Sequence, residues 1–160
     1  MKQTSRPVIL HEGEGQATWF LGGLMIEKAG SDHGDGRVAF LDQLAPAGFA
    51  PPMHVHRRED EGFYILDGEV DFFCDGQQFH GKPGSWIFLP RDLPHAFKVG
   101  ADRPARLLTF TFPAGFERFV KEFGAPAQQR SLPPPEPPDV PRIVAMAAKY
   151  GIEILGPPPD

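Results

Sequence analysis

Over the first two thirds of the chain, apolar and polar residues alternate in short runs at residues 17–21, 24–27, 38–44, 62–66, 70–74, 85–89, 95–99 and 106–112, separated by Gly, Pro and Asp. Period-two runs bounded by such residues are the signature of strands, and their even spacing predicts an all-β sandwich or barrel. Asp67-Gly68 and Asp75-Gly76 read as hairpin turns, because Gly tolerates the positive φ that such turns require. After Pro113 the period changes. Phe116, Phe119, Val120 and Phe123 recur at i, i+3, i+4 and i+7, the stripe of an amphipathic helix, with Gly124 as its stop. Six prolines between residues 131 and 141 predict an extended connector. A second helix then takes Asp139 as N-cap, shows Ile143, Met146, Ala147 and Tyr150 on one face and ends at Gly151. Both helices are expected to cover the outside of the β-structure or to join a dimer.

At 160 residues and 41% hydrophobic, the chain is long enough to bury a core as one domain, and no internal repeat divides it. Its organisation reads as N-terminal strands over 1–35, a β core over 36–112 and a helical, Pro-rich extension over 113–160. One cysteine, Cys74, excludes an internal disulfide. Neither a long apolar run nor the apolar stretch of a signal peptide is present, so the expectation is a cytoplasmic protein without a membrane partner. A net charge of −5, with no basic cluster beyond Arg57-Arg58, argues against a nucleic-acid surface.

The candidate chemistry lies between Gly48 and Gly68. His54, His56 and Glu61 stand there in the spacing Gly-x5-His-x-His-x4-Glu-x6-Gly, and His95 follows a later strand-and-turn signal. Two histidines one residue apart project from the same face of a strand, so one strand offers two imidazoles to one ion. Of the adjacent Glu59, Asp60 and Glu61, only Glu61 leaves six residues before Gly68 and begins the apolar run Phe63-Tyr64-Ile65-Leu66. Residues 57–60 then read as a charged hairpin between two strands. Three nitrogens and one carboxylate suit one divalent transition metal, Fe, Mn, Co, Ni, Cu or Zn, rather than Ca or Mg. His11, His33 and His80 lack a spaced partner and are expected to be solvated or structural.

The segment APPMHVHRREDEGFYILDGEV, followed by PGSWIFLPRDLPHAFKV, resembles the two motifs of the cupin superfamily. The first matches throughout. The second is met at Gly84, Pro90 and His95, with Asp92 where Gly is usual and Val99 where Asn is usual. The resemblance spans roughly residues 36–112. PAGFERFVKEFGAP and the Pro-rich tail are similar to the C-terminal extension of single-domain quercetin 2,3-dioxygenase-like cupins. It implies a cupin, jelly-roll-like β-barrel followed by two short helices, with metal ligands His54, His56, Glu61 and His95. It also implies a dioxygenase in which substrate oxygen meets the metal, Glu61 serves as catalytic base, and O2 attacks an aromatic or polyketide-like enol or phenol. Cupins with these ligands also include redox-neutral isomerases or cyclases and non-enzymatic binders, so those readings stay open.

Strand parity nominates the pocket. Phe63 and Ile65 follow Glu61 inward, and Phe97 lies on the face of His95. Trp86 with Phe88, and Phe110 with Phe112, form same-face pairs whose inward or outward sense depends on register. Aromatic walls around an ion suit a small aromatic molecule. The apolar helices, together with the habit of similar cupins to pair through outer strands, predict a homodimer.

Overall fold

A computed structural model describes residues 6–160; residues 1–5, which fall in the segment read as N-terminal strands, lie outside it. The strands are β1 (Gln16–Phe20), β2 (Gly23–Ala29), β3 (Ala39–Ala45), β4 (Met53–His56), β5 (Asp60–Asp67), β6 (Val70–Cys74), β7 (Gln77–Gly81), β8 (Trp86–Leu89), β9 (His95–Val99), β10 (Ala105–Phe112), β11 (Ala125–Pro126) and β12 (Ile152–Gly156). Two helices, α1 (Phe116–Phe123) and α2 (Val140–Lys149), lie in the C-terminal part. One sheet has seven strands in the order β11-β1-β2-β3-β10-β5-β8, the other five in the order β12-β4-β9-β6-β7. Every strand pair is antiparallel. No ladder joins the sheets into a closed barrel among the described residues.

The core lies between the two sheets. Phe63 from the larger sheet meets Phe72 and Phe97 from the smaller one at ring-centroid distances of 5.3 and 5.5 Å. Around them Ile65, Val70, Val99 and Leu107 are almost wholly buried. Each such aliphatic side chain contributes about 1.5–3 kcal/mol relative to exposure, which makes this layer the main cohesive element.

Two turn assignments change once the sheets are known. Residues 57–60 do not close a hairpin, because β4 and β5 belong to different sheets and the connection crosses the core. Asp67-Gly68 likewise leads from one sheet to the other, whereas Asp75-Gly76 is a true hairpin between β6 and β7. Alternating runs report strand existence, and pairing is decided only by which faces become buried. Strand β7 carries no apolar alternation and is mostly exposed, which is why its sequence gave no signal. Asp92, standing where the motif has Gly, takes φ = 67°. Its N–H donates to His56 O at 2.9 Å, so an Asp here tolerates the left-handed turn that precedes β9.

The helical extension packs inward rather than on an outer surface. Phe116, Phe119 and Phe123 of α1 set their rings edge-on against Phe20 of β1 at 5.9, 5.2 and 5.8 Å. Asp139 caps α2 by accepting from Arg142 N–H at 3.1 Å. Beyond Gly151 the chain returns as β12 and pairs with β4, the strand that bears His54 and His56.

Candidate metal centre

His54, His56, Glu61 and His95 offer ligand atoms that all lie within 4.8 Å of one another. Alternation on β4 sends His54 and His56 to one face, and the antiparallel register places His95 of β9 directly opposite His54. Glu61 arrives from the facing sheet, on β5. Its Oε2 lies 3.0 Å from His95 Nε2 and 3.5 Å from His56 Nε2. The cluster therefore bridges the two sheets at one end of the core.

Each imidazole is held by the nitrogen that points away. His54 Nδ1–H donates to Pro52 O at 2.7 Å, and His95 Nδ1–H to Leu93 O at 3.1 Å. His56 Nδ1–H donates to Glu59 Oε1 at 2.7 Å, with Glu59 itself buried. These contacts fix the tautomers so that the three Nε2 lone pairs face the cluster, the outer arrangement typical of protein metal ligands. Of the neighbouring acidic residues, Glu59 thus supports a ligand, and Asp60 turns outward to Arg91 at 3.1 Å. His80 is exposed and bonds Asp71, and His33 accepts from Gly30 N–H.

The protonation states of His54 and Glu61 fit ligation. Burial, followed by the neighbouring His95 and His56, pushes His54 down to about 3, so its imidazole is neutral at neutral pH. Burial acts to raise Glu61, but His56 first, then His95 and His54, hold it down at about 2. His56 is raised against the effect of burial by Glu61 and Glu59. A carboxylate among imidazoles in a buried place favours a positive charge at their centre, and three nitrogens with one oxygen suit a divalent transition metal.

The cluster forms one wall of a cavity of about 60 Å³. His54 and Glu61 reach it, and Phe63 and Phe97 line it as parity suggests. Ile65 is fully buried in the adjoining core. Trp86, Phe88, Phe110 and Phe112 do not belong there. Ala105, Leu107, Thr109 and Thr111 are the buried positions of β10, which turns Phe110 and Phe112 to the outer face of the larger sheet. Trp86 and Phe88 share that face, half-exposed at 50% and 51%, while Ile87 points inward opposite Phe63. Gly62 makes this possible, since a Cβ there would stand 2.3 Å from the Trp86 ring.

A further part of the lining comes from the C-terminal extension: Phe116 and Phe119 of α1, Ile143 of α2, and Ile152 and Ile154 of β12, which stand beside His56 and His54 in the β4 ladder. Their apolar spacing was legible, but what it faces depends on the chain's return to β4. The Gly-Ile-Glu-Ile alternation from Gly151 carries the only local hint of β12. Gln43 and Thr109 also line the cavity, and no spacing motif marks them.

Comparison with known proteins agrees with this architecture. A cupin-domain family model matches residues 40–111, which hold all four candidate ligands. Quercetin 2,3-dioxygenase of Bacillus subtilis is 26% identical over 129 residues, covering 79% of this chain and 37% of that enzyme. An uncharacterised protein of Methanocaldococcus jannaschii is 28% identical over 77 residues, covering 48% of this chain and 62% of that one. The chain thus spans less than two thirds of either relative. Among solved structures, an RmlC-like cupin from Shewanella frigidimarina superposes with a TM-score of 0.59 at 18% identity, over 74% of this chain and 99% of that one. A predicted oxalate decarboxylase from Thermotoga maritima gives 0.59 at 20% identity, over 66% and 99%. Residues 40–111, with paired sheets and a histidine–glutamate cluster between them, thus form a cupin domain.

Proposed function

We propose that the protein is a metal-dependent cupin enzyme, a quercetinase-like dioxygenase acting on an enol or phenol of an aromatic or polyketide-like compound. The observation that carries this reading is the opening of the four-residue cluster into an apolar cavity. The likeness to the Bacillus subtilis dioxygenase supports the reaction class. His54, His56, Glu61 and His95 would hold one divalent transition metal, which when bound supplies the Lewis acidity that lowers the pKa of a coordinated hydroxyl. Glu61, anionic and on the cavity wall, accepts the substrate's proton at its carboxylate oxygen. Phe63 and Phe97 seat the apolar body of the substrate, and Phe116 and Phe119 close over it and exclude water. At about 60 Å³ the space is well below the several hundred Å³ of ordinary small-molecule sites, so the substrate is compact and the helical wall moves aside to admit it. In this reading the protein works as a homodimer.

Metal analysis joined to an O2-uptake screen tests the proposal. Protein saturated in turn with Fe, Mn, Co, Ni and Cu should consume O2 with a β-diketone, catechol or flavonol. Metal-saturated Glu61→Gln should bind the same compound and turn it over about a hundredfold more slowly, the scale of lost general-base assistance. Absence of O2 consumption with every metal and compound sinks the dioxygenase reading. Turnover without O2 would instead identify an isomerase or cyclase, and binding without turnover a small-molecule carrier.

A further inference from the structure

Beyond the ligand cluster, polar groups in the cavity are few. Gln43 of β3 and Thr109 of β10 both line it, at 4% and 1% exposure. Thr109 Oγ1–H donates to Gln43 Oε1 at 2.9 Å, which sets the orientation of the amide. The Nε2 end of that amide makes no hydrogen bond among the described residues, and the side chain that carries it lines the cavity. Outside the ligand cluster, the other lining residues, including Phe63, Phe97, Phe116 and Ile143, bring no side-chain acceptor. An amide donor that opens on a mostly apolar cavity without a protein partner favours a ligand that brings an acceptor over one that does not.

Resting on the reading that the cluster holds a metal and the cavity admits the substrate, the geometry points to Gln43 as the group that recognises a second oxygen of that substrate. The substrate class is a compact, mostly apolar molecule with two oxygen functions. One is drawn to the histidine–glutamate cluster, and the other, of carbonyl type, accepts from Gln43 Nε2. Thr109 acts as a positioning residue, because its hydroxyl holds the amide with Nε2 forward.

The test uses the full chain loaded with cobalt(II) and matched carboxylic acids: valerate against levulinate, and hexanoate against its 5-oxo analogue. The carboxylate of each probe reports on the cluster through the visible absorption of the cobalt, and only the oxo acids carry the second acceptor. Wild-type protein should bind at least one oxo acid roughly three- to tenfold more tightly than its plain partner, the scale of one hydrogen bond. Gln43→Leu, close to it in size, should erase that preference while leaving plain-acid affinity and cobalt stoichiometry unchanged. Thr109→Val keeps the amide but frees it to turn, and should reduce the preference without abolishing it. A preference that survives Gln43→Leu, or that wild-type protein lacks at both chain lengths, overturns the assignment while plain-acid binding leaves the site reading intact. If no acid perturbs the cobalt spectrum of wild-type protein, the site reading fails and this inference falls with it.

Discussion

The ligand cluster depends on the ring nitrogens that face away from it. Two of the three imidazoles are anchored by backbone carbonyls, which no side-chain substitution removes. His56 alone relies on a side chain, the buried carboxylate of Glu59. Glu59→Ala should therefore weaken divalent-metal affinity by about 10–100-fold, measured by competition with a chromophoric chelator, while leaving one ion per chain at saturation. His80→Ala, on an exposed side chain bonded to Asp71, should leave affinity unchanged and serves as the control. Unaltered affinity in Glu59→Ala would show that His56 is held by packing alone. This residue also marks how far reading the chain reaches. His54, His56, Glu61 and His95 were legible because strand parity and spacing are local. Glu59 was read only as part of a turn, since its role exists only once the chain crosses between sheets. Gln43 and Thr109 gave no signal, because their meeting is made by β3 and β10 pairing far apart in sequence.

Helix α1 is fastened at its first turn by Glu117, buried at 1% exposure. Its carboxylate accepts from Ser31 N–H and Gly115 N–H, each at 2.7 Å, and from the Ser31 hydroxyl. Burial works to raise the acid's pKa, and these donors more than offset it, so Glu117 titrates below its ordinary 4.5. A depressed folded-state value stabilises the native state above the unfolded pKa. That contribution is complete above pH 4.5 and is lost as pH falls through the lower folded value. Denaturant titrations should accordingly show wild-type stability declining below pH 4.5 more steeply than that of Glu117→Gln. The variant should be less stable by about 1–3 kcal/mol at pH 7, from donors left poorly matched in a buried site. Parallel pH profiles for the two proteins would refute this account. At the same scale, both helices were readable from the apolar stripe, the Asp139 cap and the Gly151 stop. Their destination was not, because a stripe of phenylalanines is equally suited to an outer surface, a partner or the mouth of a cavity. Strand register settled the matter, as it did for Phe110 and Phe112, where period two pairs residues on a face without saying which face is inward.

For the whole molecule, the inward packing of the α1 phenylalanines and of Ile143 and Ala147 on α2 takes these helix faces out of the surplus apolar surface. It relocates that surplus to the outer face of the seven-stranded sheet. Tyr64 and Leu66 are each 38% exposed there, beside Trp86 and Phe88 at 50% and 51%. Phe40 stacks on Phe110 at 4.7 Å, Phe110 lies 6.3 Å from Phe112, and Trp86 meets Phe110 edge-on at 5.5 Å. These rings are already fixed by one another and by the glycine at position 62, so little side-chain entropy is lost when they are covered. A contiguous aromatic patch of this kind marks an association surface. A two-fold axis through it would lay the same rings from two copies against each other, the self-complementary arrangement of most homodimers. The cavity, the cluster and the helical wall lie on the other side of the larger sheet, so association should proceed without obstructing substrate entry. Sedimentation at micromolar concentration is therefore expected to return twice the 17.6 kDa chain mass. Phe88→Lys, which sets a charge on the exposed edge strand of the patch without touching the core, should return the monomer with its metal stoichiometry intact. A wild-type protein that sediments as a monomer, or a Phe88→Lys variant that remains dimeric, would exclude this face as the interface.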